Sequence, residues 1–269
     1  MSIPIFQIDA FAMQAFSGNP AAVCPLPHWP SDAWMQNVAM ENNLSETAFF
    51  VARGDHYDIR WFTPTCEVDL CGHATVASAF VLWTYLGCKA EEIVFKSASG
   101  PLQVSHRDGL IELNFPARAS GQEITLESVL GQSISEALKC EILFIAADQG
   151  RCLVQLKDSA TLTELQPNIH ALTALPYSVF LVTAKGDTED FVCRVFAPQK
   201  GIDEDPVTGS AYTILSPFWG KKLGKSSLHA RQLSKRGGLV QTHVKGDRVL
   251  IAGSAVCVMR GELLLSLDV

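Results

Sequence analysis

The sequence predicts a mixed α/β (α+β) protein made of two pseudo-symmetric lobes, each a curved mixed sheet wrapped around a central helix. Three observations predict it. The segment Gly72 to Leu86 reads as a helix that is apolar on every face, with Ala74, Val76, Ala77, Ala79, Phe80, Val81, Leu82, Trp83 and Leu86 leaving no polar stripe, so protein must enclose it on all sides. Short strand-like runs flank it and supply the enclosure. The chain also repeats itself. Trp61-Phe62-Thr63-Pro64 leads to Val68-Asp69 and a helix start at Gly72, and Val195-Phe196-Ala197-Pro198 leads to Ile202-Asp203 and a helix start near Gly209. The shared offset of 134 residues is half the chain, which indicates an internal duplication.

The elements follow in order. Ile5 to Phe11 is strand-like, a Gly18-Asn19-Pro20 turn follows, and Ala21 to Cys24 is a second short strand. Ser31 and Asp32 cap a helix that runs through about Glu41. Thr47 to Val51 and Tyr57 to Phe62 form a hairpin across Gly54-Asp55. Strands at Glu92 to Lys96, Leu102 to His106 and Leu110 to Phe115 complete the first lobe. Small and polar residues between Pro116 and Gln122 mark the join, giving lobes of 1–118 and 119–269, with room for the last strand to cross back. The second central helix covers Ser210 to Trp219.

Composition narrows the function classes. At 269 residues, 48% hydrophobic and 18% charged, the chain can bury a substantial core and is not disordered. A net charge of −7 argues against a general nucleic-acid binder. The apolar stretch Ala74 to Leu86 is too short to span a bilayer, and the N-terminus lacks the basic start of a secretory signal. Eight cysteines with no C-x-x-C pair read as reduced thiols of a cytoplasmic protein. Three motifs fail on spacing or context. Gly220 to Ser226 is one residue short of a phosphate loop, Cys66, Cys71 and His73 lack paired zinc ligands, and no G-x-S-x-G element is present. The basic run Lys221 to Arg236 reads as a solvated face, without the interleaved aromatics of a single-strand binder.

Chemistry is expected at the two helix starts. Each begins at a glycine, Gly72 or Gly209, and exposes unpaired N–H groups at the positive end of the helix dipole. Placed across a cleft between the lobes, the two starts would grip a small carboxylate with backbone alone. His73, Asp205 and Ser210 lie in these segments, and Glu46 directly precedes an apolar strand. A carboxyl held where water is scarce ionises less readily, which suits a group that takes and returns a proton. Plainer readings stand beside these: Glu46 as a solvated strand-edge carboxylate, His73 bonded to nearby backbone, Asp205 or Ser210 as helix caps, and Cys71 as packing. Gly18 and Asn19 read as turn chemistry with no catalytic part.

Five pieces in this order, Gly18-Asn19-Pro20-Ala21-Ala22-Val23, Asn43-Leu44-Ser45-Glu46-Thr47-Ala48-Phe49, Phe62-Thr63-Pro64, Glu67 to Thr75, and Asp205 to Ala211, together resemble the PhzF-like family of phenazine biosynthesis. The resemblance spans nearly the whole chain. It implies the diaminopimelate epimerase-like fold, with the active site in the cleft between the lobes. It implies Glu46 as the acid/base, His73 and Asp205 as residues that position the substrate and shuttle protons, and Gly72, Gly209 and Ser210 as binders of its acidic end. It further implies a small anionic carboxylate substrate, an isomerase without metal or coenzyme, no nucleic-acid or membrane partner, and a homodimer. The type member shifts a proton across the ring of a dihydro-hydroxyanthranilate, and that particular substrate is not carried over. Related epimerases use two opposing cysteines. Cys71 stands where the first would be, but the second lobe has Asp205-Pro206-Val207 and no thiol, so a two-thiol mechanism is not expected. An epimerase within the same fold and a non-catalytic binding protein that keeps the cleft are the rival readings.

Overall fold

The computed structural model describes residues 2–267. The chain divides into two compact units, the first running through Phe115 and resuming at Ile251, the second covering Pro116–Leu250.

In the first unit the elements are β1 (Ile3–Ala10), β2 (Asn19–Leu26), α1 (Asp32–Asn42), β3 (Glu46–Ala52), β4 (Tyr57–Phe62), β5 (Glu67–Val68), α2 (Gly72–Thr84), β6 (Glu92–Ser97), β7 (Gly100–Arg107) and β8 (Leu110–Pro116). The second unit holds β9 (Gln122–Glu123), α3 (Val129–Leu138), β10 (Phe144–Asp148), β11 (Arg151–Gln155), α4 (Ser159–Thr163), α5 (Ile169–Ala174), β12 (Val179–Lys185), β13 (Phe191–Ala197), β14 (Ile202–Asp205), a 3-10 turn Gly209–Ala211, α6 (Tyr212–Leu223), β15 (Ser227–Gln232) and β16 (Gly238–Lys245). β17 (Arg248–Gly253) and β18 (Ala255–Leu263) follow, and β18 lies antiparallel on β1 in the first unit.

The two units share one pairing scheme. In the first, β1 is antiparallel to β2, β2 parallel to β3, β3 antiparallel to β4, β4 antiparallel to the short β5 and parallel to β6, and β6 antiparallel to β7. In the second, β10, β11, β12, β13, β14, β15 and β16 repeat those relations in the same succession. Even the register keeps the offset, since Tyr57 begins the β4–β6 pairing and Phe191, 134 residues on, begins the β13–β15 pairing. Parallel neighbours need crossovers. α1 makes the first crossover in one unit, α4 and α5 in the other, while α2 and α6 make the second.

Local chemistry sets the element ends. Ser31 accepts from the Trp34 amide at 3.2 Å to start α1, and Asn43, left-handed at φ 49°, ends it by donating its N–H to the Ala39 carbonyl. α2 packs against β1, β2, β3 and β18, and Ala74, Val76, Ala77, Ala79 and Val81 are wholly buried. Its two polar side chains in that run turn inward on the helix itself, Thr75 donating to the Cys71 carbonyl and Ser78 to that of Ala74. A helix that small-residue-rich and that enclosed has no slack volume. Ala77→Leu should therefore overpack the core and cost about 1–3 kcal/mol, read as a lower urea midpoint with an unchanged slope.

Candidate functional site

Parallel pairing sets Ala21 of β2 beside Glu46, the first residue of β3. Asn19 opens β2 two residues earlier, so both polar side chains lie at one end of the sheet. Gly18 delivers Asn19 there. Its φ is +67°, and a Cβ would collide with the Ala10 carbonyl and the Ala12 side chain, so this tight return admits glycine alone. α2 packs on β2 and β3 and brings its second residue, His73, onto the same end.

The result is a buried chain of polar groups. His73 Nε2 lies 3.1 Å from Glu46 Oε2, His73 Nδ1 lies 3.2 Å from Asn19 Nδ2, and Ser45 Oγ donates to Asn19 Oδ1 at 3.1 Å. Cys71 Sγ is 3.5 Å from the same Nδ1. His73 and Cys71 are each 6% exposed and Asn19 is fully buried, whereas the Glu46 side chain keeps 13% exposure. Of the groups in contact with the His73 ring, Glu46 is thus the one that reaches furthest toward solvent. Its oxygen is at ion-pair distance from Nε2 but off the N–H direction, so Nε2 has no directed hydrogen bond among the described residues. The attraction there is charge to charge.

Burial works to lower the His73 pKa, but the charges of Cys71 and Glu46 and the hydrogen-bond contact with Cys71 overcome it and hold the imidazolium well above the ordinary histidine range. The Cys71 thiol is pushed up by its own burial and by the Glu46 charge, against the opposing pull of His73. Of the two neighbours that raise His73, Cys71 has the larger influence and Glu46 the second. The candidate ligand atoms of Glu46, Cys71 and His73 lie within 4.8 Å of one another. The ring nevertheless turns Nδ1 to Cys71 and Nε2 to Glu46. A metal ion sits on the lone pair of one nitrogen, so one ion is not bonded by all three in this arrangement.

Gly72, like Glu46 and His73, belongs to the first unit and is the first residue of α2. Cys71, at the N-cap, places no side-chain cap on the α2 amides. Asp205, Gly209 and Ser210 belong to the second unit. Asp205 ends β14, and its carboxylate accepts from the Thr208 hydroxyl at 2.5 Å. It is not a helix cap: Thr208 holds that place, again without a side-chain cap, and Ser210 lies inside the 3-10 turn. Gln232, fully buried on β15, accepts from the Thr208 amide at 2.9 Å and donates to the Asp205 carbonyl at 2.6 Å, which pins the loop from both ends. In the basic run, Lys225 pairs with Asp190 at 2.5 Å and Arg231 with Glu189 at 2.6 Å, so acidic partners from the β12–β13 connection take up those two cations.

Asn19, read from sequence as turn chemistry alone, is the direct neighbour of His73. A signal was present: an asparagine opening an otherwise apolar strand has to spend its amide on something buried. Gln232 carried no such signal, because its importance is a matter of the parallel pairing of β13 and β15.

The fold and this site define a mixed α/β protein of the epimerase-like fold, with an acid–imidazole pair at the end of a parallel strand pair. The chain belongs to the PhzF-like family: the family described as phenazine biosynthesis-like protein matches residues 8–261. An uncharacterized isomerase of Halalkalibacterium halodurans is 46% identical over 268 residues, covering 98% of this chain and all of the relative. The crystal structure of a phenazine biosynthesis protein of the PhzF family from Enterococcus faecalis superposes with a TM-score of 0.94 at 44% identity, covering 98% of this chain and 100% of that one. A predicted epimerase from Pseudomonas aeruginosa shares the fold with a TM-score of 0.70 at 18% identity, covering 98% of this chain and 100% of that one. No helix among the described residues is long and apolar enough to cross a membrane.

The raised His73 pKa has a signed consequence for stability. A histidine whose folded pKa exceeds its unfolded value of 6.5 stabilises the fold fully below that value, and the stabilisation is lost as pH rises through the folded pKa. Urea unfolding from pH 6 upward should show stability falling above about 6.5, and His73→Gln should flatten that slope. Glu46→Gln should move the His73 titration downward in proton NMR.

Proposed function

We propose that this protein is a cofactor-independent isomerase that relocates a proton on a small carboxylate-bearing molecule, with Glu46 as the acid/base. The observation that carries this reading is the Glu46–His73 pair: a carboxylate with a solvent-facing edge, 3.1 Å from a buried imidazole at a helix start without a side-chain cap. Glu46 takes a proton from a carbon next to a conjugated or carbonyl system and returns it at another position. The charged His73 steadies the carboxylate and the negative charge that builds on the substrate. The N–H groups of the α2 start, including that of Gly72, receive the acidic end of the molecule. In the same reading Asp205 holds the substrate and passes protons, and Gly209 and Ser210 bind its acidic end. The relatives named isomerases support the reaction class.

An epimerase that inverts a carbon through two thiols fits less well. Among the described residues Cys71 is the one thiol in contact with His73, and its burial pushes the thiol pKa up, away from the thiolate a base would need. The same family membership supports a homodimer, to be measured by light scattering as a mass of two chains. Eight free cysteines support residence in the reducing cytoplasm.

The test is incubation with a metabolite pool in heavy water, followed by mass spectrometry for compounds that gain deuterium with the enzyme alone. A shifted double bond in the labelled product identifies isomerisation, and label at an unshifted stereocentre identifies epimerisation. Glu46→Gln should lose about 10²- to 10⁴-fold in exchange rate while folding normally. Undiminished exchange in that variant removes Glu46 from the role. Coupling between Glu46→Gln and Asp205→Asn in a double-mutant cycle checks whether the two act on one molecule.

A further inference from the structure

His73 makes a demand on its neighbours that the proposed reaction leaves unmet. As placed, Asn19 turns its Nδ2 to His73 Nδ1 and its Oδ1 to the Ser45 hydroxyl. An amide nitrogen is a donor, so this orientation requires Nδ1 to be a bare acceptor and the ring to carry its proton on Nε2. The acidic neighbours Cys71, 3.5 Å from Nδ1, and Glu46, 3.1 Å from Nε2, favour the opposite, a ring protonated on both nitrogens. Two donors would then face each other at 3.2 Å in a fully buried place, which costs free energy until one of them turns.

A half-turn of the Asn19 amide removes the donor–donor conflict with His73. The amide oxygen and nitrogen are close in size, so the turn exchanges them with little change of shape. Oδ1 then accepts from Nδ1–H, and Nδ2 donates to Ser45 Oγ, whose hydroxyl serves equally as donor or acceptor. We propose that Asn19, backed by Ser45, is the positioning residue that sets where His73 carries its proton. With Oδ1 on the ring, Nδ1–H is retained, and Nε2, the nitrogen beside Glu46, is the one that gains and loses a proton. With Nδ2 on the ring, Nε2–H is fixed and His73 is a neutral donor only. No proton passes through Asn19 in either state.

Around the ring, the titratable neighbours are Glu46 from β3 and Cys71 from the start of α2. Asp9 on β1 accepts from the Phe16 amide at 2.8 Å. Cys24 on β2 is held as a thiol by burial. Cys257, Arg260 and Glu262 lie on β18, which also packs against α2. Cys71 Sγ is the competing acceptor for Nδ1–H, at 3.5 Å and through a weaker sulfur acceptor.

This inference rests on the proposed reaction only in taking His73 to change charge during turnover, and its test needs no substrate. The full chain, labelled with ¹⁵N-histidine, is titrated by NMR, which reads the tautomer from the two ring-nitrogen shifts. The wild type should lose its proton from Nε2 and keep Nδ1–H above the transition. Asn19→Asp, which offers acceptors alone, should strengthen Nδ1–H and raise the titration midpoint. Asn19→Leu should release Nδ1 and lower the midpoint. Ser45→Ala, a milder change should Asn19→Leu fail to fold, should shift the tautomer balance in the same sense as Asn19→Leu. Cys71→Ala should leave the tautomer unchanged. A wild-type ring that is Nε2–H when neutral, or a tautomer that follows Cys71→Ala and ignores the Asn19 and Ser45 variants, overturns the proposal. Loss of isotope exchange in Glu46→Gln bears on the reaction and leaves this result standing, so the two can fail separately.

Discussion

The structure depends on one constraint: α2 has no face fit for water. Its alanines, valines and leucine are buried on all sides, so β1, β2, β3 and β18 must surround it. Enclosure of the body of the helix leaves its first turn at the end of the sheet where β2 and β3 begin. Asn19, Glu46 and His73 lie far apart in the chain, yet each is the first or second residue of an element that meets there. The site is a by-product of packing, held by hydrophobic burial and completed by the residues that immediately precede those elements, Gly18, Ser45 and Cys71. Burial also explains its electrostatics, because a carboxylate 3.1 Å from an imidazole in a wet place would shift little.

The duplication shows how two equal scaffolds came to hold different chemistry. Adding the offset of 134 to Cys71 gives Asp205, and adding it to His73 gives Val207, which is fully buried. Where the first unit has a thiol and an imidazole, the second has a carboxylate and a hydrocarbon. Asp205 therefore has no imidazole at the repeat-equivalent position. Its carboxylate leans on Thr208, and Gln232 fixes the loop by two backbone contacts. The first unit carries an acid–imidazole pair, whereas the second carries a carboxylate held in place.

Much of this was legible in the residues. The all-apolar helix, the Ser31 cap, the hairpin at Gly54 and the repeat at 134 residues all follow from periodicity and turn chemistry, and the matching strand pairings bear out the two-lobed mixed α/β reading. α2 ends at Thr84, short of Leu86, because Gly87, left-handed at φ 69°, closes it while the Leu86 and Cys88 N–H groups turn back to the Val81 and Leu82 carbonyls. The site was legible only in part. Glu46 and His73 announce themselves by residue type and position. Asn19 does not, because Gly-Asn-Pro reads first as a turn, and the same residues serve both ends: Gly18 makes the turn and Asn19 spends its amide inside. Gln232 was beyond reach, since its partners are set by a parallel pairing across 39 residues.

The place of His73 in the first turn of α2 makes the pair with Glu46 necessary as well as useful. The positive end of a helix disfavours a cation, and burial disfavours it further. The imidazolium is favoured there because the acidic neighbours Cys71 and Glu46 are close enough to outweigh both. If Glu46 gives its charge to a proton taken from a substrate, the support for the imidazolium weakens at that moment, and the ring becomes more willing to give up its own proton. The two groups are thus coupled so that a proton gained by one loosens a proton on the other. A pair with that property can receive hydrogen at one position and release it at another within a single closed arrangement of side chains, as relocation of a proton along a substrate requires.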